Sequence, residues 1–307
     1  MQTAYISHPA CFKHDMGNDH PESPARLAAI EDQLIASGIL PLLQHHDAPR
    51  ATHEQLARVH TEKHIRSIEA AAPQHGLVYL DPDTAMNPYT LEAALRAAGA
   101  VILATDLVMT KQVENAFCNV RPPGHHATRE LSMGFCIYNN VAIGVAHAMA
   151  QYGLERIAIV DFDVHHGNGT EDIFKDDTRV LLCSTFQHPF YPYSGADSGN
   201  EHIINVPLPA RTNGQGFRDA VTAAWLPELE IFKPQMIFIS AGFDAHREDE
   251  MANMGLVEAD YTWVTQQIKT VAAKHAQKRI VSVLEGGYAL HALGRSATAH
   301  IRVLCDL

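Results

Sequence analysis

Six short apolar runs punctuate the chain: "TAYIS" (3–7), "NAFCNV" (115–120), "RIAIV" (156–160), "RVLLCST" (179–185), "QMIFISA" (235–241) and "RIVSVLE" (279–285). They are mostly aliphatic and show little alternation, as expected of strands buried on both faces. Longer segments of helical period lie between them, at 90–110, 139–153, 217–232 and 257–276. Strands and helices taking turns predict an α/β fold, a three-layer α/β/α arrangement with a mostly parallel central sheet. No repeat, low-complexity tract or linker interrupts the pattern, so residues 1–307 are read as a single domain.

Four of the apolar runs end in polar clusters. "NAFCNV" leads into "RPPGHHA", "RIAIV" into "DFDVHHGNG", "QMIFISA" into "GFDAH" and "RIVSVLE" into "GGY". Ligand sites in open parallel sheets form beyond the carboxyl ends of the strands, so these distant segments are expected to converge on one edge.

In "DFDVHHGNG" two carboxylates and two imidazoles follow a buried strand within six residues. Such groups cost several kcal/mol each to bury unpartnered, and a metal ion is the leading compensation. Asp163 and His165 are two apart and point to one side of an extended segment. Asp244, at the end of another strand, is the best third ligand, and three protein ligands leave the open position of a catalytic zinc site. The oxygen-rich, thiolate-free set also suits Fe(II), Mn(II) or Co(II). His125 and His126 supply groups that give and take protons near neutrality. Asp161 and Asn168 flank the ligand motif as candidate partners for their second ring nitrogens. Gly286-Gly287-Tyr288 sets a phenol on a flexible turn, where its O–H can serve as an oxyanion donor.

The composition narrows the function. A net charge of −12 argues against nucleic acid as a partner. No apolar run approaches the roughly 18 to 20 residues that span a bilayer, so no membrane is expected. "MQTAYISHPACFKHD" shows no secretory pattern, and a cytoplasmic enzyme is expected. The five cysteines are scattered without CxxC spacing and read as free thiols.

Taken in order, "HPESPARL" (20–27), "LDPDTAMNPYTLEAALRAAGA" (80–100), "RPPGHHA", "GFCIYNNVAIG" (134–144), "DFDVHHGNGTEDIF" (161–174), "FYPYSG" (190–195), "SAGFDAH" (240–246) and "LEGGY" (284–288) resemble the histone deacetylase superfamily. That superfamily also holds acetylpolyamine amidohydrolases, and "HHGNGT" and "LEGGY" look like its class II branch and bacterial relatives. The resemblance implies the arginase/deacetylase-like fold and a zinc-dependent amidohydrolase. It implies Asp163, His165 and Asp244 as zinc ligands, with His126 as general base and acid. His125, paired with Asp161, would be electrostatic, Asn168 stands at a position that is Asp in class I, and Tyr288 would hold the oxyanion. It further implies potassium at Asp161, Asp163, His165, Ser184 and Thr185, and a second potassium near Phe174, Asp177, Val180 and His202. Gly134 and Phe135 of "GFC" and Tyr191 of "FYP" would wall a tunnel for an acyl-lysine stem. Phenylalanine is more usual at the latter position, so a slightly more polar rim is expected. Arg26 would stand by an internal cavity for acetate.

Met251 falls at the tunnel mouth, where polyamine-selective relatives can carry glutamate. Its neutral thioether favours an acylated lysine side chain or another small acyl-amine, although Glu248, Asp249 and Glu250 beside it offer charge to a cation. The expected activity is deacetylation of acetyl-lysine or a similar short acyl-amine. An acetylpolyamine deacetylase, an arginase-like dimetal hydrolase and a non-catalytic acyl-amine binding protein are the rivals. A homo-oligomer is compatible with the chain, but the long insertion that assembles polyamine-enzyme dimers is not evident.

Overall fold

Each of the six apolar runs forms a strand, and four further strands form where no such run exists. The computed structural model describes residues 2–307. Its strands are β1 (Thr3–Ser7), β2 (Gln44–Asp47), β3 (Val78–Tyr79), β4 (Ala85–Met86), β5 (Asn115–Cys118), β6 (Ile157–Asp161), β7 (Val180–Gln187), β8 (Ile203–Leu208), β9 (Met236–Ala241) and β10 (Ile280–Leu284). Eight of them make one sheet, in the order β2-β1-β5-β10-β9-β6-β7-β8. Every pairing in that sheet is parallel. β3 and β4 form a separate antiparallel pair.

The helices are α1 (Ala25–Ala36), α2 (His53–Ala57), α3 (Glu62–Ala71), α4 (Thr90–Met109), α5 (Asn140–Tyr152), α6 (Asn168–Phe174), α7 (Gly214–Phe232), α8 (Glu258–His275) and α9 (Leu290–Leu304). They cover both faces of the sheet. Phe238 of β9 lies against the backbone of Gly144 in α5, which also meets Val101 of α4. One residue further along the register, Ser282 of β10 pairs with Ile239 of β9, and its hydroxyl meets His300 of α9 at 2.8 Å. Successive strand residues face opposite ways, so α4 and α5 form one layer and α9 belongs to the other. The second layer runs α1, α9, α8, α7 in contact order. No described helix is long and apolar enough to cross a membrane.

β5, β10, β9 and β6 are consecutive in the sheet and wholly buried. Their register puts Cys118 beside Val283, Val283 beside Ser240 and Ser240 beside Asp161. Four strands therefore end level and side by side, and the polar clusters that follow them are forced together at one edge.

Candidate active site

Asp163 and His165 follow β6, and Asp244 follows β9; all three are buried. Nδ1 of His165 lies 3.1 Å from Oδ1 of Asp163 and 3.3 Å from Oδ2 of Asp244. One ligand atom from each residue falls within 4.8 Å of the other two. Oδ2 of Asp163 accepts the Gly286 N–H at 2.8 Å, and Oδ1 of Asp244 accepts the Val164 N–H at 2.9 Å. Oδ2 of Asp244 has no hydrogen-bond partner among the described residues. A Cβ on Gly286 would stand 2.0 Å from that oxygen, so only glycine lets the β10 turn close over the carboxylates.

The charges in this cluster are unbalanced. Burial and the charge of Asp163 push Asp244 up to about 6, against the pull of His165. Burial would also raise Asp163, but positive His125 and His165 outweigh it and hold it far below the usual carboxylate range. His165 is driven to about 10, its burial overcome by its bond to Asp163 and the nearby charge of Asp244. Two buried carboxylates here call for compensating positive charge. A divalent cation meets that need, and atoms each about 2.0–2.1 Å from a tetrahedral ion sit roughly 3.3 Å apart. The unpartnered oxygen, the glycine cradle and the spacing all fit a zinc-like ion.

His125 and His126 occupy a turn bolted down from two sides. Oε2 of Glu285 accepts the N–H groups of Gly124 (2.7 Å) and His125 (3.1 Å). The His125 carbonyl accepts the N–H groups of Gly169 and Thr170 in α6. The two rings, 4.0 Å apart, have different partners: Nδ1 of His125 meets Oδ2 of Asp161 at 2.9 Å, and Nδ1 of His126 meets Oδ1 of Asn168 at 2.8 Å. Burial lowers His125, but Asp161 and Asp163 raise it to about 10. Burial also lowers His126, and the positive His125 and His165 add to the effect, leaving it well below the ordinary imidazole value. A neutral His126 donates from Nδ1 to Asn168, so its Nε2 carries the lone pair.

A cavity of about 290 Å³ opens beside this group, lined by Asp83, His126, Gly134, Phe135, His165, Phe190, Tyr191, Met251 and Tyr288. It brings together the predicted wall residues Gly134, Phe135, Tyr191 and Met251 with His126 and Tyr288. Gly134 has φ +54°, and a Cβ there would come within 2.4 Å of the His126 ring. The Tyr191 hydroxyl departs from expectation: it is buried and without a hydrogen-bond partner among the described residues, so it adds no polarity to the rim. Arg26 is not in the wall. Its buried guanidinium lies behind Tyr288, 4.9 Å from the ring centroid, and donates to Oε1 of Glu22 and the carbonyls of Gly287 and Glu285.

Ser184 of β7 stands in register beside Asp161 and ahead of Thr185; its hydroxyl is buried and has no partner among the described residues. Phe174, Asp177 and Val180 lie along the turn from α6 to β7, and His202, just ahead of β8, meets it. There the Phe174 and Asp177 carbonyls accept the N–H groups of Asp177 and Val180, and Nδ1 of His202 lies 2.9 Å from the Val180 carbonyl.

Residues 20–304 match the sequence profile described as the histone deacetylase domain. The chain belongs to the histone deacetylase family. It is 39% identical over 301 residues to a probable deacetylase of Archaeoglobus fulgidus, covering 94% of this chain and 82% of that protein. It is 37% identical over 276 residues to a histone deacetylase-like amidohydrolase of Pseudomonas aeruginosa, covering 88% and 72%. The crystal structure of the HDA15 HD domain superposes with a TM-score of 0.92 at 33% identity, covering all of this chain and 90% of that one. As a member of this family the chain is an enzyme that hydrolyses amide bonds.

Several residues around this deacetylase site carry no signal in the sequence reading. Glu285 stands within "LEGGY" and anchors the histidine turn, and Phe190 stacks on His165 with ring centroids 5.6 Å apart. Asp83 is the one carboxylate in the cavity lining among the described residues. A paired strand-end carboxylate is visible as chemistry; a carboxylate that serves backbone N–H groups has no spacing to betray it.

Proposed function

We propose that this enzyme is a zinc-dependent deacetylase that removes an acetyl or similarly short acyl group from the side-chain amine of a lysine. Asp163, His165 and Asp244 hold the ion. When bound, it polarises the amide carbonyl and lowers the pKa of a water molecule. The observation that carries this reading is His126, bonded through Nδ1 to Asn168, in the lining of a largely aromatic cavity beside the three ligands.

His126 takes the proton of the attacking water at Nε2 as the C–O bond forms, and returns it to the nitrogen as the C–N bond breaks. His125, protonated and paired with Asp161, supplies fixed positive charge beside the developing oxyanion. Tyr288 donates its O–H to the same oxygen, an interaction worth roughly 3 kcal/mol in the transition state when preorganised. Phe135 and Tyr191 grip the aliphatic stem, with Gly134 giving it room. Asp161, Ser184 and Thr185, with the backbones of Asp163 and His165, would hold a potassium ion. Backbone oxygens near Phe174, Asp177, Val180 and His202 would hold a second potassium. Residues 1–307 act as one catalytic domain.

A lysine stem is favoured over a polyamine by what surrounds Met251. Glu248 is paired with Arg295 at 2.8 Å, and Asp249 is buried and bonded to three backbone N–H groups. The acidic run therefore presents less free charge than its sequence suggests: Glu248 and Glu250 are both exposed, but Glu248 is engaged by Arg295. Release of free amine from an acetyl-lysine peptide and from acetylspermidine, measured side by side, tests this. The peptide is expected to have the higher kcat/KM; a preference for acetylspermidine would reassign the enzyme to polyamines.

A further inference from the structure

Two glycines precede Tyr288, and Gly287 has φ +122°, so little in the local chain fixes the phenol's direction. The peptide unit joining Gly287 to Tyr288 is nevertheless held at both ends. Its carbonyl accepts Nε of Arg26 at 2.6 Å, and its N–H donates to Oδ2 of Asp249 at 2.6 Å. The same Asp249 oxygen accepts the Ala289 N–H at 3.0 Å, while Oδ1 accepts the Met251 N–H at 3.0 Å. Asp249 is 5% exposed and comes from the loop after β9, so one buried carboxylate ties the Tyr288 turn to the residue at the cavity mouth.

We infer that Asp249 is a positioning residue: it clamps the Gly287–Tyr288 peptide so that the Tyr288 hydroxyl is held toward the reacting carbonyl, and it sets Met251 against the same cavity. This rests on the proposed oxyanion role of Tyr288. A carboxylate is required because two oxygens must accept three N–H groups. An amide has one oxygen to offer, and its NH2 would face an N–H as a second donor.

The test is a double-mutant cycle on the zinc-loaded enzyme with an acetyl-lysine peptide, joined to amide hydrogen exchange over residues 286–290. Asp249→Asn is expected to lower kcat about tenfold or more, within what loss of an oxyanion donor costs, and to leave KM and the one-metal stoichiometry nearly unchanged. In a Tyr288→Phe background the same substitution should cost little more, because the group it positions is already gone. A trifluoroacetyl-lysine peptide, whose carbonyl is already electrophilic, should suffer a smaller loss. Exchange of the Tyr288 and Ala289 amides should quicken about tenfold in Asp249→Asn and in Asp249→Ala. Unchanged exchange, wild-type kcat, or losses that multiply fully in the double variant would overturn the inference. If the wild type hydrolyses no acyl amide, the proposed function fails, while exchange still decides whether the clamp exists.

Discussion

His125 and His126 are chain neighbours of one residue type, and their surroundings push their proton affinities in opposite directions. Part of the difference lies in the partner on Nδ1: Asp161 brings a charge to His125, whereas Asn168 brings only a dipole to His126, which is also buried beside positive His125 and His165. Replacing Asn168 with Asp should remove that difference. A carboxylate on Nδ1 favours the imidazolium, so the proton affinity of His126 rises, and the base form persists only at higher pH. The acid limb of the kcat/KM profile is expected to move up by about one unit or more, read from rates across pH 5–9. An unmoved limb would take His126 out of the base role. Asp161 and Asn168 were legible as partners because they sit inside the ligand motif. Asp249 and Glu285 were not, since their work is done on backbone N–H groups that every residue carries.

The strands that carry the site were the ones most visible in the chain. β5, β6, β9 and β10 are buried on both faces and so read as apolar runs, with ends within two residues of those expected. β2 and β8 escaped detection because they are the edges of the sheet. Gln44–Asp47 is polar throughout, and β8 contains Pro207, which an edge tolerates. α1 and α9 were missed too, yet α1 begins beside the network that ties the site's segments together. Within it, fully buried Glu22 pairs with Arg121, which begins the histidine turn, and with Arg26, which holds the Gly287 carbonyl. Burial would raise the Glu22 carboxyl, but Arg121 and His14 hold it well below the usual range. An unfolded glutamate titrates near ~4.3, so the contribution of Glu22 to stability is complete above that value and is lost as pH falls from there through the lower folded value. Glu22→Gln leaves two buried guanidinium groups short of a counter-charge. A loss of about 3–5 kcal/mol is expected at neutral pH, measured by denaturant unfolding, with the gap to wild type closing in acid.

At the scale of the whole molecule, the parallel sheet does the assembling. Segments more than 160 residues apart, such as Gly124 and Glu285, meet because four adjacent strands end level. That convergence was legible from strand-end chemistry alone. The cavity's details were not: the inward Tyr191 hydroxyl and the stacking of Arg26 behind Tyr288 depend on packing that no periodicity encodes. The carboxylates and imidazole beyond β6 and β9 are proposed to hold one hydrolytic metal. This is tested most directly by following acetate release from an acetyl-lysine peptide while metal-stripped protein is titrated with zinc. Activity is expected to be absent at the start, to rise to a plateau at one equivalent, and to stay absent in Asp244→Ala. Turnover by the stripped protein, or a plateau reached only at two equivalents, would contradict the account.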